Sequence, residues 1–339
     1  MNKNALRADI LLLLTAAIWG FGFVAQRSGM EYIGPFAFNG IRFILGSLSL
    51  LPFILIRRIR SNSAHSDPKH LLISSLLLGC ILFFAVELQQ IGIIFTTAGN
   101  AGFITGLYVV LTPFFGIFLG RKTGLPTWVG SILTLIGLYF ISVANNPGSI
   151  NPGDIIIFIS AFIWAAHVLM IDRLMNNGAR HHSAPLDPVE VSAGQFAVCG
   201  ILSLFCAFLI EPFISPAVEK INPSLLSAGL FDWKPFVELL SALRDGTVLL
   251  TFDALIPILF GGLCSVGIAY TLQVIAQRDA PPAHAVIILC FEGCFAALGG
   301  ILLLSEKAGF WTLFGFVFML TGMIATQWDV IIKSRIKND

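Results

Sequence analysis

Long apolar stretches separated by short polar connections dominate this chain. They are not the one-sided apolar stripes of helices that pack on a soluble core. A helix needs roughly 20 mostly apolar residues to cross the hydrocarbon layer of a bilayer. Ten stretches come near that length: 9–26, 34–56, 71–94, 97–119, 126–144, 153–172, 189–210, 253–276, 282–304 and 308–328. The pattern predicts an all-α integral membrane protein with ten transmembrane helices. The connections TTAG (96–99) and SEKAG (305–309) are short enough to force tight helical hairpins.

Composition agrees with a bilayer as solvent. Of the 339 residues, 56% are hydrophobic and 12% charged, and the mean hydropathy is +0.87. Soluble domains carry about a quarter charged residues. The net charge of +1 points to no nucleic-acid partner. Cys80, Cys199, Cys206, Cys264, Cys290 and Cys294 all fall in apolar runs without zinc-ligand spacing. They read as small packing residues, and no disulfide framework, metal site or cofactor is expected.

The basic residues sort unevenly between the connections. With the N-terminus inside, the cytoplasmic pieces hold Lys3, Arg7, Arg57, Arg58, Arg60, Lys69, Arg121, Lys122, Arg173, Arg180, Arg278, Lys333, Arg335 and Lys337. The outer pieces hold only Arg27, Lys220, Lys234, Arg244 and Lys307, and Arg42 lies inside a span. Positive-inside bias therefore predicts both termini in the cytoplasm, the last as a basic tail over 331–339. The expected location is a cell membrane, with the bacterial inner membrane as the first choice. The first apolar run has the outline of a signal peptide, but it is matched later in the chain and reads as a helix.

That match is an internal repeat. At an offset of 145, Asp9, Ala16, Ile18 and Trp19 meet Asp154, Ala161, Ile163 and Trp164. At 153, Pro35 and Phe43 meet Pro188 and Phe196; at 183, Gln90 meets Gln273. At 185, Lys122, Gly124, Thr127, Gly130 and Gly137 meet Lys307, Gly309, Thr312, Gly315 and Gly322. The growing offset places insertions in the loop GARHHSAPLD and in an outer segment of about 211–251. The division is thus 1–146 for the first repeat and 147–330 for the second. Five spans per copy is an odd number, so the second copy enters the membrane from the opposite side. Inverted repeats are a common carrier architecture, with the substrate near the midplane between halves.

Several blocks carry a family resemblance: TAAIWGFGF and SAFIWAAHV, GPFAFNGIRF, TTAGNAGFITGLYVVLTPFFGIFLG, and LCFEGCFAALGGILLLSEKAGFWTLFGFVFMLTGM. Over nearly its whole length the chain resembles the EamA-like branch of the drug/metabolite transporter superfamily. The resemblance implies ten helices in two inverted five-helix halves and no nucleotide-binding domain. It implies a secondary carrier, often an exporter of amino acids or related metabolites. Two departures stand out. Glu292-Gly293 replaces the Glu-Pro often found in the family, and Arg121 stands where the fourth helix often ends in an acidic residue. The outer segment is also longer than usual.

Polar residues within spans are the candidates for function, because a charge at membrane depth costs about 2.5–3.5 kcal/mol on insertion scales. Glu292, set in IILCFEGCFAALGG, follows His284 by eight residues, so both can face one cavity. Asn100 and Tyr108 repeat that spacing in the first half. Glu292 reads as a proton carrier, with Glu87 the second candidate, or as a neutral carboxyl pinning two helices. Glu87 and Gln90, like Tyr270 and Gln273, are three apart and share a helix face. Both faces are read as lining the pathway, with interhelical hydrogen bonding the plainer role. Arg42 needs a carboxylate, as a structural ion pair with Glu87 or Glu292, or an anionic substrate group. Trp19 and Trp164 hold matching places and offer stacking surfaces or packing, and His167 shares the face of Trp164. Pro113, Gly116, Gly293, Gly299 and Gly300 are read as points of bending or close contact. His181 and His182 read as solvated loop, and PFVELLSALRD (235–245) as a short amphipathic helix on the outer surface.

Other classes fit less well. The chain lacks the H-E-x-x-H and G-x-S-x-G patterns of an intramembrane enzyme, and a Walker A motif. A repeat within one chain favours alternating access over a channel. An amphiphile or lipid translocator shares the architecture. The expectation is a non-enzymatic secondary carrier for a small metabolite, more often outward, with H⁺ as the simplest coupling ion. Its expected partners are the small-molecule substrate and the lipid bilayer, with a homodimer compatible.

Overall fold

The computed structural model describes residues 3–29, 33–60, 66–95, 98–121, 123–142, 152–177, 186–210, 252–303 and 310–336, and every regular element among them is helical. The first half contributes α1 (Lys3–Gly29), α2 (Pro35–Arg60), α3 (Pro68–Phe95), α4 (Ala98–Gly106), α5 (Tyr108–Phe118) and α6 (Leu125–Ser142). There follow α7 (Pro152–Asn177), α8 (Pro188–Leu209), α9 (Phe252–Leu259), the π-helical α10 (Phe260–Tyr270) and α11 (Thr271–Ala276). The chain closes with α12 (Pro282–Leu289), α13 (Glu292–Leu303) and α14 (Phe310–Ile336). Among the described residues six helical stretches are long and apolar enough to cross a membrane: Asn4–Gln26, Pro35–Ile59, Pro68–Phe95, Pro152–Asn176, Pro188–Leu209 and Leu255–Ala276. Shorter apolar helices cover Ile104–Phe118, Leu125–Phe140, Pro282–Ala296 and Leu313–Ala325. The outer segment 211–251, His181, His182 and the hairpin residues 305–309 lie outside the described residues.

Polarity is arranged inside out. Phe53, Ile59, Phe118, Phe208 and Phe310 are exposed, whereas Arg42, Asn39, Glu87, Gln90, His167, Gln195, Gln273 and Glu292 are buried. Lipid takes the apolar outside, and the polar groups turn to one another. Lipid tails are as apolar as leucine, so association between helices depends on close packing and hydrogen bonds. Glycine supplies the closeness. A Cβ on Gly137 of α6 would stand 2.7 Å from the Gly315 carbonyl oxygen of α14, and one on Gly322 would stand 2.7 Å from that of Gly130. These are four of the six glycines paired by the offset of 185, and they contact one another reciprocally.

Ion pairs and hydrogen bonds tie one end of the bundle. His284 Nε2 is 2.7 Å from Asp9 Oδ1, joining the start of α12 to the start of α1. Arg57 pairs with Asp187 at 2.6 Å and Arg58 with Glu190 at 2.9 Å, joining the end of α2 to the start of α8. Arg121, the family departure at the end of the fourth span, pairs with Asp172 of α7. Asn176 donates to Asp172 Oδ1 and to the Gln277 carbonyl, and Arg278 donates to the Leu186 carbonyl. Asp187 caps α8 by accepting from the Val189 and Glu190 amides, which satisfies two otherwise orphaned donors.

Two predicted spans are interrupted by turns, and a third, 253–276, passes through the π-helical α10. The stretch 97–119 is broken at Leu107 between α4 and α5, and 282–304 is broken at Cys290–Phe291 between α12 and α13. Pro113 is not the interruption, because it sits inside α5. Both breaks tighten the backbone to three-residue turns. Leu107 N donates to Ile104 O at 3.2 Å and Phe291 N donates to Ile288 O at 3.1 Å. These two bonds are equivalent at an offset of 184, and short 3₁₀ stretches inside helices often mark functional hinges. Gly106 and Gly293, poor helix formers, flank the breaks.

Candidate functional site

The two breaks meet. Cys290 Sγ donates to the Gly106 carbonyl at 3.7 Å, a residue 184 positions earlier. Immediately after each break a polar side chain opens the next segment: Tyr108 begins α5 and Glu292 begins α13. Both line a central cavity. Trp19, Phe23 and Gln26 of α1 line it at intervals of four and three residues, one helical stripe. Arg42 of α2, Gln89 of α3, Thr105 of α4, Trp164 and Val168 of α7, and Leu289 of α12 add further wall. Ser265 and Tyr270 of α10 and Gln273 of α11 complete it.

Aromatic rings form one side. Trp19 and Trp164, matched by the repeat, have ring centroids 6.4 Å apart. Tyr270 stands edge-on to Trp19 at 4.5 Å and stacks on Trp164 at 6.1 Å. Behind it lie Phe43 and Phe196, the other matched pair, with centroids 6.1 Å apart. The Trp19 indole N–H donates to the Ser265 carbonyl at 3.2 Å, while that of Trp164 has no partner among the described residues. The amide oxygens of Gln26 and Gln273 are likewise buried without a partner.

Several sequence candidates stand elsewhere. Glu87 and Gln90 are buried behind the wall, where Glu87 accepts from Ser203 Oγ at 2.5 Å; Gln89, between them, reaches the cavity and donates to Thr105 at 3.0 Å. His167 is fully buried, 3.0 Å from Gln195 Oε1, and touches the cavity only through Trp164. His284 does not share the cavity with Glu292; the break between them removes the regular helical phase, and His284 pairs with Asp9. The side chain of Asn100 lies outside the described residues. Arg42 makes no ion pair within 4.0 Å among the described residues.

Phe23, Gln26, Gln89, Thr105, Val168, Ser265 and Leu289 line the cavity without having been candidates in the sequence. The stripe Trp19–Phe23–Gln26 was available as a signal. Ser265 was not, because it stands five residues before Tyr270, on one face only in a π-helix.

A model of the EamA-like transporter family matches residues 6–143 and again 151–327. An uncharacterized transporter of Archaeoglobus fulgidus is 27% identical over 303 residues, covering 89% of this chain and 79% of the relative. The uncharacterized inner membrane transporter YedA of Escherichia coli is 28% identical over 152 residues, 44% of this chain and 47% of the relative. A solved crystal structure superimposes with a TM-score of 0.69 over 97% of this chain and 98% of its own at 16% identity, a likeness of fold.

Proposed function

The chain belongs to the EamA-like transporter family, as a multi-pass membrane protein, and we propose that it is a secondary carrier of a small metabolite working by alternating access. In this reading the broken stretches α4–α5 and α12–α13 and the run α9–α11 each count as one span. Ten spans then form two inverted halves, 1–146 and 147–330, with both termini in the cytoplasm of a bacterial inner membrane. The observation that carries the reading is the meeting of the two breaks at the cavity, with Tyr108 and Glu292 in equivalent places. The double family match, the reciprocal glycines and the matched aromatic pairs support the same division. The ends also agree: α1 begins, and α7 ends, at the ion-paired end of the bundle.

Two halves of like shape and opposite sense exchange conformations at little net cost, and the site between them opens to one face and then the other. Trp19, Trp164, Tyr108, Tyr270, Gln273 and Glu292 contact the cargo, an amino acid or related compound moved outward. Glu87, Gln90 and His167 support the wall. Glu292 has no hydrogen bond or ion pair among the described residues, so its carboxyl is available to take a proton on one face and release it on the other.

The test is transport by purified protein in sealed vesicles with an imposed pH gradient. Gradient-driven flux that Glu292→Gln uncouples is the expected result. Flux indifferent to both the gradient and Glu292→Gln rejects proton coupling.

A further inference from the structure

The environment of Arg42 is unusual for a charge at membrane depth. It is 2% exposed and lies between Phe38 and Phe43, whose ring centroids are 5.5 and 5.1 Å from its guanidinium carbon. Its Nε donates to Asn39 Oδ1 at 2.9 Å. Its two terminal nitrogens make no hydrogen bond to a described residue, and neither is among the sealed-off polar atoms. Arg42 is one of the residues lining the cavity. Glu87 is within electrostatic range of Arg42 and accepts from Ser203. A guanidinium cannot shed its proton, and leaving it without a counter-charge away from water is costly.

We infer that Arg42 is the anchor for the anionic group of the cargo, and that the cargo is an organic monocarboxylate whose flat apolar body lies on the Trp19–Trp164–Tyr270 wall. This rests on the cavity being the transport site. Four observations select the class. The rings of Phe38 and Phe43 and the bond to Asn39 orient the guanidinium, leaving its terminal edge for the two oxygens of a carboxylate. Arg42 is the single basic residue among the described residues of the lining, so one negative charge is matched and a second is not. Glu292 on the same lining further disfavours a dianion. Tyr270 of the aromatic wall lines the same cavity as Arg42 and Glu292.

The probes are indole-3-acetate, its neutral counterpart indole-3-acetamide, and the cation tryptamine, tested by thermal unfolding of the full-length protein in detergent across a concentration series. A ligand that binds the native state raises the melting temperature according to its concentration over Kd. Indole-3-acetate is expected to stabilise at concentrations at least about tenfold lower than either analogue, as a charge-assisted pair requires. Arg42→Lys should weaken that preference and Arg42→Gln should erase it. If Arg42→Gln does not fold, the carboxylate–amide comparison on the unaltered protein decides. Equal stabilisation by all three probes, weakened throughout by Trp164→Ala, overturns the anion assignment and leaves the cavity reading standing. Stabilisation by none of them overturns both.

Discussion

Tyr108 and Glu292 occupy one place in two different helices. Each is the first residue after a turn tightened by an i to i−3 hydrogen bond, and each faces the cavity where those turns touch. A phenol thus stands in one half where a carboxyl stands in the other. The two turns share one backbone geometry, while the side chains that follow them do not share one chemistry.

The glycine contacts between α6 and α14 make the matching measurable. Gly137→Ala and Gly322→Ala each push a methyl against a backbone carbonyl 2.7 Å away. Each should destabilise by about 1–3 kcal/mol, by nearly equal amounts, in thermal unfolding in detergent. Gly102→Ala is the control, since a Cβ there meets nothing within 4 Å.

The two matched tryptophans should behave differently. Trp19→Phe removes the donor to the Ser265 carbonyl and should cost about 0.5–1.5 kcal/mol beyond the loss of ring area. Trp164→Phe removes a buried N–H that has no partner and should cost less, by the same measurement. Equal losses would mean that ring volume alone sets the cost.

Ion pairs at the tied end should rank by burial. Asp172 is 4% exposed, pairs with Arg121 and accepts from Asn176. Asp172→Ala strands both partners and should cost about 1–3 kcal/mol. Arg58 is 51% exposed, so Arg58→Ala should cost less than about 1 kcal/mol. Unfolding midpoints of the two variants, compared in one detergent, check the order.

How much of this was legible in the sequence depends on what local pattern can encode. Apolar runs placed the helices, and the offsets 145 and 153 paired Trp19 with Trp164 and Phe43 with Phe196, which the fold brings ring to ring. Uniform helical phase misled where the helix is not uniform. The break before Glu292 sends His284 to Asp9, and the π-helical α10 turns Ser265 onto the face of Tyr270. Glu87 and Gln90 carried the right chemistry on the wrong face, and Gln89 between them reaches the cavity. That Arg42 makes no ion pair within 4.0 Å among the described residues could not be read from sequence, because Glu87 and Glu292 were equally available to it.

The central claim is that the cavity between the halves opens alternately to the two membrane faces. Its most direct test is a single cysteine, Ser265→Cys, in a background with the native cysteines replaced, probed with a membrane-impermeant thiol reagent applied to one face of sealed vesicles at a time. The position should be labelled from both faces. When Asp9→Cys and His284→Cys are added and joined by a short thiol cross-linker before labelling, reaction from that end should stop and reaction from the other should persist. Labelling confined to one face without the cross-link, or labelling from both faces that the cross-link leaves unchanged, would contradict the account.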